Sequence, residues 1–420
     1  MESVLSLFTP SWAVPGTGLK QVIALAEEEF GADALTPQLI DASVSAMPGI
    51  FGDYPQPSDK APCGIFIAVY SILALAHLFI FVKNKSRGHN FYMSFGLMWY
   101  CLFRMIGFAL RVRWISDLLN FNMGIASVTF SQLPPLYLNV LCMILGHRIF
   151  TWRHPETGNS KYFNVAIILI YIFSAPLVAM AIVGQVIPNI YFLTEKHLRI
   201  CHQVTQAAAV LNLSYATSGI FLVQLAYFFK PGTIDHRMLR MPKAKLVPHL
   251  PPVVQPTWIR SAALTYYPRK GEQIPLYRDG PTGKAIRIIP SRETPAGGLC
   301  RPYSNDSSSP NNRVPSIRTA VLIVIVVSAI MTMNIVFRTA STFILKPRGG
   351  FPGPLNSWIY HNYVYYIWYG AFEAIANVIL LLGRVDLRFY IPDMPIKGTG
   401  NELEVHQEKQ SASVESFQEV

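Results

Sequence analysis

Seven apolar runs recur along the chain, each close to the 20 or so residues a helix needs to cross a hydrocarbon layer about 30 Å thick. They fall at Pro62–Val82, Phe91–Val112, Met123–Ile149, Phe163–Ile187, Val204–Phe229, Thr319–Ile344 and Trp358–Leu382, and are numbered here as spans one to seven. Pro134 and Pro135 interrupt span three, Pro176 sits in span four, and span five carries many polar groups. Such prolines predict bends, because neighbouring helices, hydroxyls or water satisfy the carbonyls they free. The expected fold class is all-α: a polytopic membrane protein, a seven-transmembrane-helix bundle with disordered termini and one long disordered loop.

The polar stretches divide the chain further. Residues 1–60 form an acidic extracytoplasmic segment, with eight acidic side chains against Lys20 and Lys60 and one short amphipathic helix candidate at Leu19–Phe30. No basic stretch leads into an apolar core there, so no cleavable signal peptide is expected. Residues 61–229 carry spans one to five, 230–316 a basic Pro-rich cytoplasmic loop, 317–391 spans six and seven, and 392–420 an acidic cytoplasmic tail. Lys230–Arg318 holds fifteen Lys/Arg against five Asp/Glu. Such a composition buries too little apolar surface to offset chain entropy, so disorder is expected for most of it and for the tail. Trp258–Tyr267 is its one apolar patch and a candidate for a helix lying on a membrane.

Composition narrows the function classes. Hydrophobic residues make up 51% of the 420 and charged ones only 14%, against about a quarter charged in an ordinary soluble domain. That excludes a disordered scaffold and argues against a soluble multi-domain enzyme. The net charge of +11 would suit nucleic acid, but most of the excess lies in one loop between spans. It therefore reads as membrane topology, with no nucleic-acid partner. Lys83, Lys85 and Arg87, then Arg148, Arg153 and Lys161, then Lys230 onward, and finally Arg384 and Arg388 flank one side. The other side has Arg111, Arg113, Lys196, Arg199, Lys346 and Arg348. The amino terminus is accordingly expected outside and the carboxyl terminus in the cytoplasm, in a plasma membrane. Membrane lipids are expected partners, and the 230–316 loop is expected to bind anionic headgroups or an acidic cytoplasmic protein. On that topology the sequons at Asn84, Asn212 and Asn305 stay unmodified.

Candidate chemistry begins with ionisable groups inside the spans, which normally face a partner or water: His77, Arg104, Arg338 and Glu373. At 1.5 Å per residue, Arg104 lies roughly 20 Å and Glu373 roughly 15 Å from the cytoplasmic ends of their spans. That match predicts an intramembrane Arg104–Glu373 ion pair. Arg338, about 28 Å up span six, can instead snorkel outward. On span seven Asn362, Tyr366, Tyr369, Glu373 and Asn377 share one line. Span five has a stripe of Gln203, Gln206, Ser214, Thr217, Ser218 and Gln224, and span six aligns Asn334, Arg338 and Ser341. These stripes are either interhelical hydrogen-bond glue, helped by small residues such as Ala207, Ala208 and Gly219, or the walls of a site. As a site they predict an outward cavity reached past His361 and Tyr363, with Gln203, Gln206, Asn334, Arg338, Asn362 and Tyr366 around an unknown small ligand and Arg338 as anchor.

Other chemistry is absent. His197, His202 and His361 gather at outer ends, but no span has His-x-x-x-His or a carboxylate at matching spacing, so no metal is expected. No phosphate loop, Walker motif or Ser–His–Asp order occurs, hence no cofactor and no enzyme. Five cysteines at unrelated spacings form no disulfide framework. Cys63 and Cys201 share the outer side, where they either bridge in an oxidising compartment or stay free.

The segment PSDKAPCGIFIAVYSILALAHLFIF (Pro57–Phe81), the RGH that follows, FRMIGFALRVRW (Phe103–Trp114) and the closing GRVDLRFYIPD (Gly383–Asp393) resemble fungal seven-transmembrane proteins labelled family C-like G-protein-coupled receptors. The likeness runs from Pro57 to Pro392, without the long loop. A fainter one, in FRTAS (Phe337–Ser341) and the Trp/Tyr-rich start of span seven with Glu373, is to the fungal lipid-translocating exporter family. Span three ends in GHRIF where G-protein-coupled receptors carry Asp/Glu-Arg-Tyr, and span seven lacks Asn-Pro-x-x-Tyr. The first resemblance implies a receptor-like seven-helix protein of unknown ligand. The second implies a lipid translocase or small-molecule transporter with a polar path between helices two, five, six and seven.

Overall fold

The computed structural model describes residues 9–31, 54–86, 91–118, 120–154, 157, 161–229, 276–279, 284–287, 317–344 and 357–389. Seven helices are long and apolar enough to cross a membrane: span one Lys60–Ser86, span two Tyr92–Ser116, span three Phe121–Arg153, span four Lys161–Ile190, span five Glu195–Phe228, span six Ile317–Phe343 and span seven Asn362–Leu382. The fold is an all-α bundle and the protein a multi-pass membrane protein.

Most helices run a turn beyond their apolar stretch, because polar ends continue a helix after it has left the hydrocarbon. Span five departs furthest, starting at Glu195 and not at Val204, with Arg199 pairing back to Glu195 on an exposed first turn (3.1 Å). Span seven starts later than expected, since Trp358–Tyr360 form a separate 3-10 turn before it. Spans three and four stay helical through Pro134, Pro135, Pro176 and Pro188.

Spans one and two pack along each other, two against three, three against five and five against six, while seven lies against six and one. Span four rests on five from outside and is the least buried; spans three and seven are the most buried. Where three meets five, a Cβ added to Gly146 would come within 2.8 Å of the Gly219 carbonyl oxygen, so glycine lets the two backbones approach. Gly219 is thus packing glue of the expected kind, and Ala208 is buried, whereas Ala207 is exposed.

The amino-terminal helix Leu19–Phe30 packs as a cap on the end of the bundle. Leu19, Ile23 and Ala26 bury against Tyr54, Trp114 and Phe121. Gly18, at φ 68, donates its N–H to the Pro188 carbonyl (2.9 Å), and Gln21 accepts from the Phe192 N–H (3.1 Å). Within the 230–316 loop Leu276–Asp279 pairs antiparallel with Lys284–Arg287. The rest of the loop, Trp258–Tyr267 included, and the tail from 392 lie outside the described residues.

Candidate functional site

Polar side chains inside the bundle fall into three groups at different depths. The deepest centres on Glu373, which has no exposed surface. Tyr100 and Arg104 stand one turn apart on span two and so reach the same neighbour. Arg104 Nε donates to Glu373 Oε2 (2.8 Å) and its Nη2 to Oε1. The Tyr100 hydroxyl also donates to Oε2, and Asn334 Nδ2 on span six donates to Oε1 (2.6 Å). Arg104 Nη1 bonds the Ser131 carbonyl (2.9 Å), and the guanidinium lies 4.5 Å from the centre of the Tyr369 ring. Arg104 and Glu373 therefore meet as a bidentate pair tying spans two, three, six and seven. Each carboxylate oxygen already accepts two bonds, which leaves nothing to offer a passing solute. Fully paired buried charges of this kind act as a clasp.

Just before Glu373, Tyr366–Phe372 form a π-helical turn, a feature found mostly as single turns and often at functional sites. The Tyr70 hydroxyl reaches the carbonyls of Tyr369 (3.1 Å) and Gly370 (3.0 Å) inside that turn. Gly370 is glycine because the Phe66 ring sits where a Cβ would project, at 2.3 Å.

The second group surrounds Arg111, which the flanking-charge count places outside the membrane. It is buried inside the bundle, at 2% exposure. Nε donates to the Tyr366 hydroxyl (3.1 Å) and Nη2 to Asn362 Oδ1 (3.0 Å), with the Tyr365 ring 4.8 Å away. Asn362 in turn donates to Asp59 Oδ2 (2.7 Å), joining the start of span one to spans two and seven. The signal for Arg111 was its spacing: seven residues beyond Arg104 returns to the same helix face. Cys63, also buried, contacts the Tyr366 hydroxyl through Sγ (3.3 Å); both it and Cys201 are free thiols.

The third group is a cavity of about 40 Å³ lined by residues of spans two to seven. Room for about three water molecules follows, at 10–15 Å³ each on the same measure. Arg338 reaches into it and donates to Gln132 Oε1 of span three. The half-buried guanidinium thus turns towards span three and the cavity. Gln185, Thr205, Asn212 and Thr342 complete much of the polar wall. A narrower cleft lined by Leu133, Leu136, Leu177 and Val178 leads from Arg338 towards span four.

The six residues expected to share one ligand cavity do not share it. Arg338 lines this cavity, but Gln203 is exposed and Gln206 donates to the Thr342 carbonyl (3.3 Å). Asn334 belongs to the Glu373 group, and Asn362 and Tyr366 to the Arg111 group. The physical reason is that a stripe specifies a face and not what that face meets. Neither His361 nor Tyr363 lines the cavity; their rings stack on each other 5.2 Å apart.

His77 and the closing motif occupy the opposite end. Asp386 accepts from Asn84 Nδ2 (2.9 Å) and from Arg384 (3.0 and 2.9 Å), while Arg388 Nε bonds the Gly383 carbonyl (2.7 Å). Arg148 on span three bonds the Phe389 carbonyl, and Val385 and Phe389 are buried. His77 is buried at 2% exposure. The motif therefore fastens the end of span seven to spans one and three.

Residues 155–390, from just before span four to the closing motif, match the model of a family described as a protein of unknown function (DUF3112). No curated protein and no solved structure matches the chain.

Proposed function

The chain belongs to the DUF3112 family, and we propose that it acts as a receptor-like seven-helix protein that holds a small ligand in the cavity at Arg338. One observation carries this reading: the cavity is polar, touches six spans at once, and has neither Arg104 nor Glu373 in its lining, although Ser131 and Tyr369 in its wall contact Arg104 from the other side. A ligand there contacts several helices together, so it can favour one packing of the bundle over another, as a receptor requires. The resemblance to family C-like receptors accords with it.

For orientation we infer an outside amino terminus in a plasma membrane. Lys83, Lys85, Lys161, Arg384 and Arg388 cluster at one end against Arg113, Lys196 and Arg199 at the other, and burial of Arg111 removes a charge from the poorer side. The basic 230–316 loop then faces the cytoplasm, available to an acidic partner or anionic lipid.

The rival reading, a translocase or transporter with a path between helices two, five, six and seven, needs the cavity to open at both ends in turn. Thr342→Cys distinguishes the two, in a chain with Cys201 and Cys300 replaced by alanine and a membrane-impermeant thiol reagent applied to sealed vesicles of either orientation. The receptor reading expects labelling from the amino-terminal side alone. Labelling from both sides favours translocation, and labelling from neither removes the ligand site.

A further inference from the structure

We infer that the cavity at Arg338 receives an oxyanion, the carboxylate or phosphate of its ligand; this rests on the ligand-site reading above and names the chemistry the site takes. Arg104, Arg111 and Arg338 all point into the bundle, and two of these three have acidic groups within their networks. Arg104 pairs with Glu373, and Arg111 is linked through Asn362 to Asp59. Arg338 differs. Its hydrogen-bond partner is the neutral carboxamide of Gln132, and among the described residues it has no carboxylate partner. None of the residues lining the cavity is acidic.

A guanidinium inside a membrane bundle without a counter-charge is costly to keep, unless water or an anion completes it. Guanidinium is also the group that binds carboxylate and phosphate through paired N–H donors. One of its five donors is used on Gln132, which leaves further N–H donors for a ligand in the cavity it lines. Gln185 supplies a second, independent sign. Its carboxamide oxygen is buried in the cavity wall with no partner. An amide can turn to present its NH₂ instead, so a second donor stands ready in the wall that Arg338 also lines. Most side-chain hydroxyls of serine and threonine in the wall already donate to carbonyls, as Thr205 does to Cys201 (2.9 Å) and Thr342 to Thr339 (2.8 Å). Recognition of an anion therefore falls to Arg338 and the two glutamines, beside Asn212 and an Arg111 guanidinium already bonded to Tyr366 and Asn362 in the same wall.

Size agrees with a headgroup and not a large solute, since the cavity has room for about three water-sized groups. The apolar cleft that shares Arg338 leads towards span four, the least-buried helix. At about 10 Å³ that cleft is too small for a chain, so an oxyanion has two possible sources: a free anion, or the head of a membrane lipid whose chain stays in the bilayer.

The test uses the full chain, purified in a neutral detergent and titrated with inorganic phosphate, acetate and lysophosphatidic acid, with a monoacylglycerol as the uncharged control. The readout is the thermal unfolding midpoint, which rises with the concentration of anything that binds the folded state. At least one anionic probe is expected to raise it, with the apparent affinity falling at least about tenfold in Arg338→Gln and less in Arg338→Lys. Gln185→Glu, which places a carboxylate in the cavity wall, is expected to abolish the response and keeps the test decisive should Arg338→Gln not fold. A response to phosphate or acetate identifies a soluble source, and one to lysophosphatidic acid alone identifies a lipid. The inference is overturned if no anionic probe moves the midpoint, if the monoacylglycerol moves it equally, or if Arg338→Gln responds as the parent does. A cavity labelled at Thr342→Cys yet silent to every anion overturns the oxyanion alone; one neither labelled nor responsive overturns the ligand site with it.

Discussion

Arg104 and Arg111 stand two turns apart on one face of span two, and the sequence reveals one of them far more readily than the other. Arg104 is legible because it lies mid-span and because depth alone matches it to Glu373. Arg111 lies five residues from the end of its helix at Ser116, where basic residues usually sit at the interface, and its amide and phenol partners carry no charge to advertise it. Tyr100 and Asn334 were equally hidden as ligands of Glu373, since nothing in their spacing says which carboxylate they meet. Removing one partner of a buried pair leaves the other charge unpaired, at a cost of about 3–5 kcal/mol. Glu373→Gln and Arg104→Met are each expected to lower stability by about that much, and the double variant to recover part of the loss. Denaturant unfolding of the four proteins measures this cycle, and purely additive losses would show that the two side chains do not act together.

At the scale of elements, hydropathy placed all seven spans, because lipid imposes the same length and apolarity on each helix whatever its neighbours. Rotation and ends were harder to read. Span five begins at Glu195 because a polar turn is a good helix outside the hydrocarbon, and its polar stripe divides between the bundle and an exposed Gln203. Span seven carries a π-helical turn at Tyr366–Phe372 that no residue count at 100° per residue reveals, and its presence alters the angle between Asn362 and Glu373. Contact between spans three and five rests on glycine facing glycine. Gly146→Ala places a methyl 2.8 Å from the Gly219 carbonyl oxygen, and backbone at that distance cannot swing aside as a side chain can. A loss of about 1–3 kcal/mol is expected, in the range of other overpacked cores, read as a lowered unfolding midpoint. An unchanged midpoint would mean that spans three and five are not held at this separation.

For the whole molecule, the sequence specified which residues are polar within the membrane but not how they are shared out. The bundle divides them into a saturated clasp at Glu373, a second junction at Arg111, a fastening at Asp386, and a cavity at Arg338 whose wall borders the first two through Ser131, Tyr369 and Arg111. A single ligand site built from stripes on three spans would have merged the first, second and fourth. The separation arises because helices five, six and seven present their stripes to different neighbours, something set by packing and visible only once all seven helices are together. The functional account depends on this division of labour: Glu373 holds the bundle, and Arg338 is left for a ligand. Side-by-side thermal unfolding of Glu373→Gln and Arg338→Gln in the absence of added ligand tests that division most directly. The account predicts a midpoint lowered by at least about 5 °C in Glu373→Gln, the consequence of an unpaired buried arginine, and one within about 2 °C of the parent in Arg338→Gln, whose cavity water replaces the lost group. Equal losses, or a larger one in Arg338→Gln, would contradict it by making Arg338 part of the same clasp.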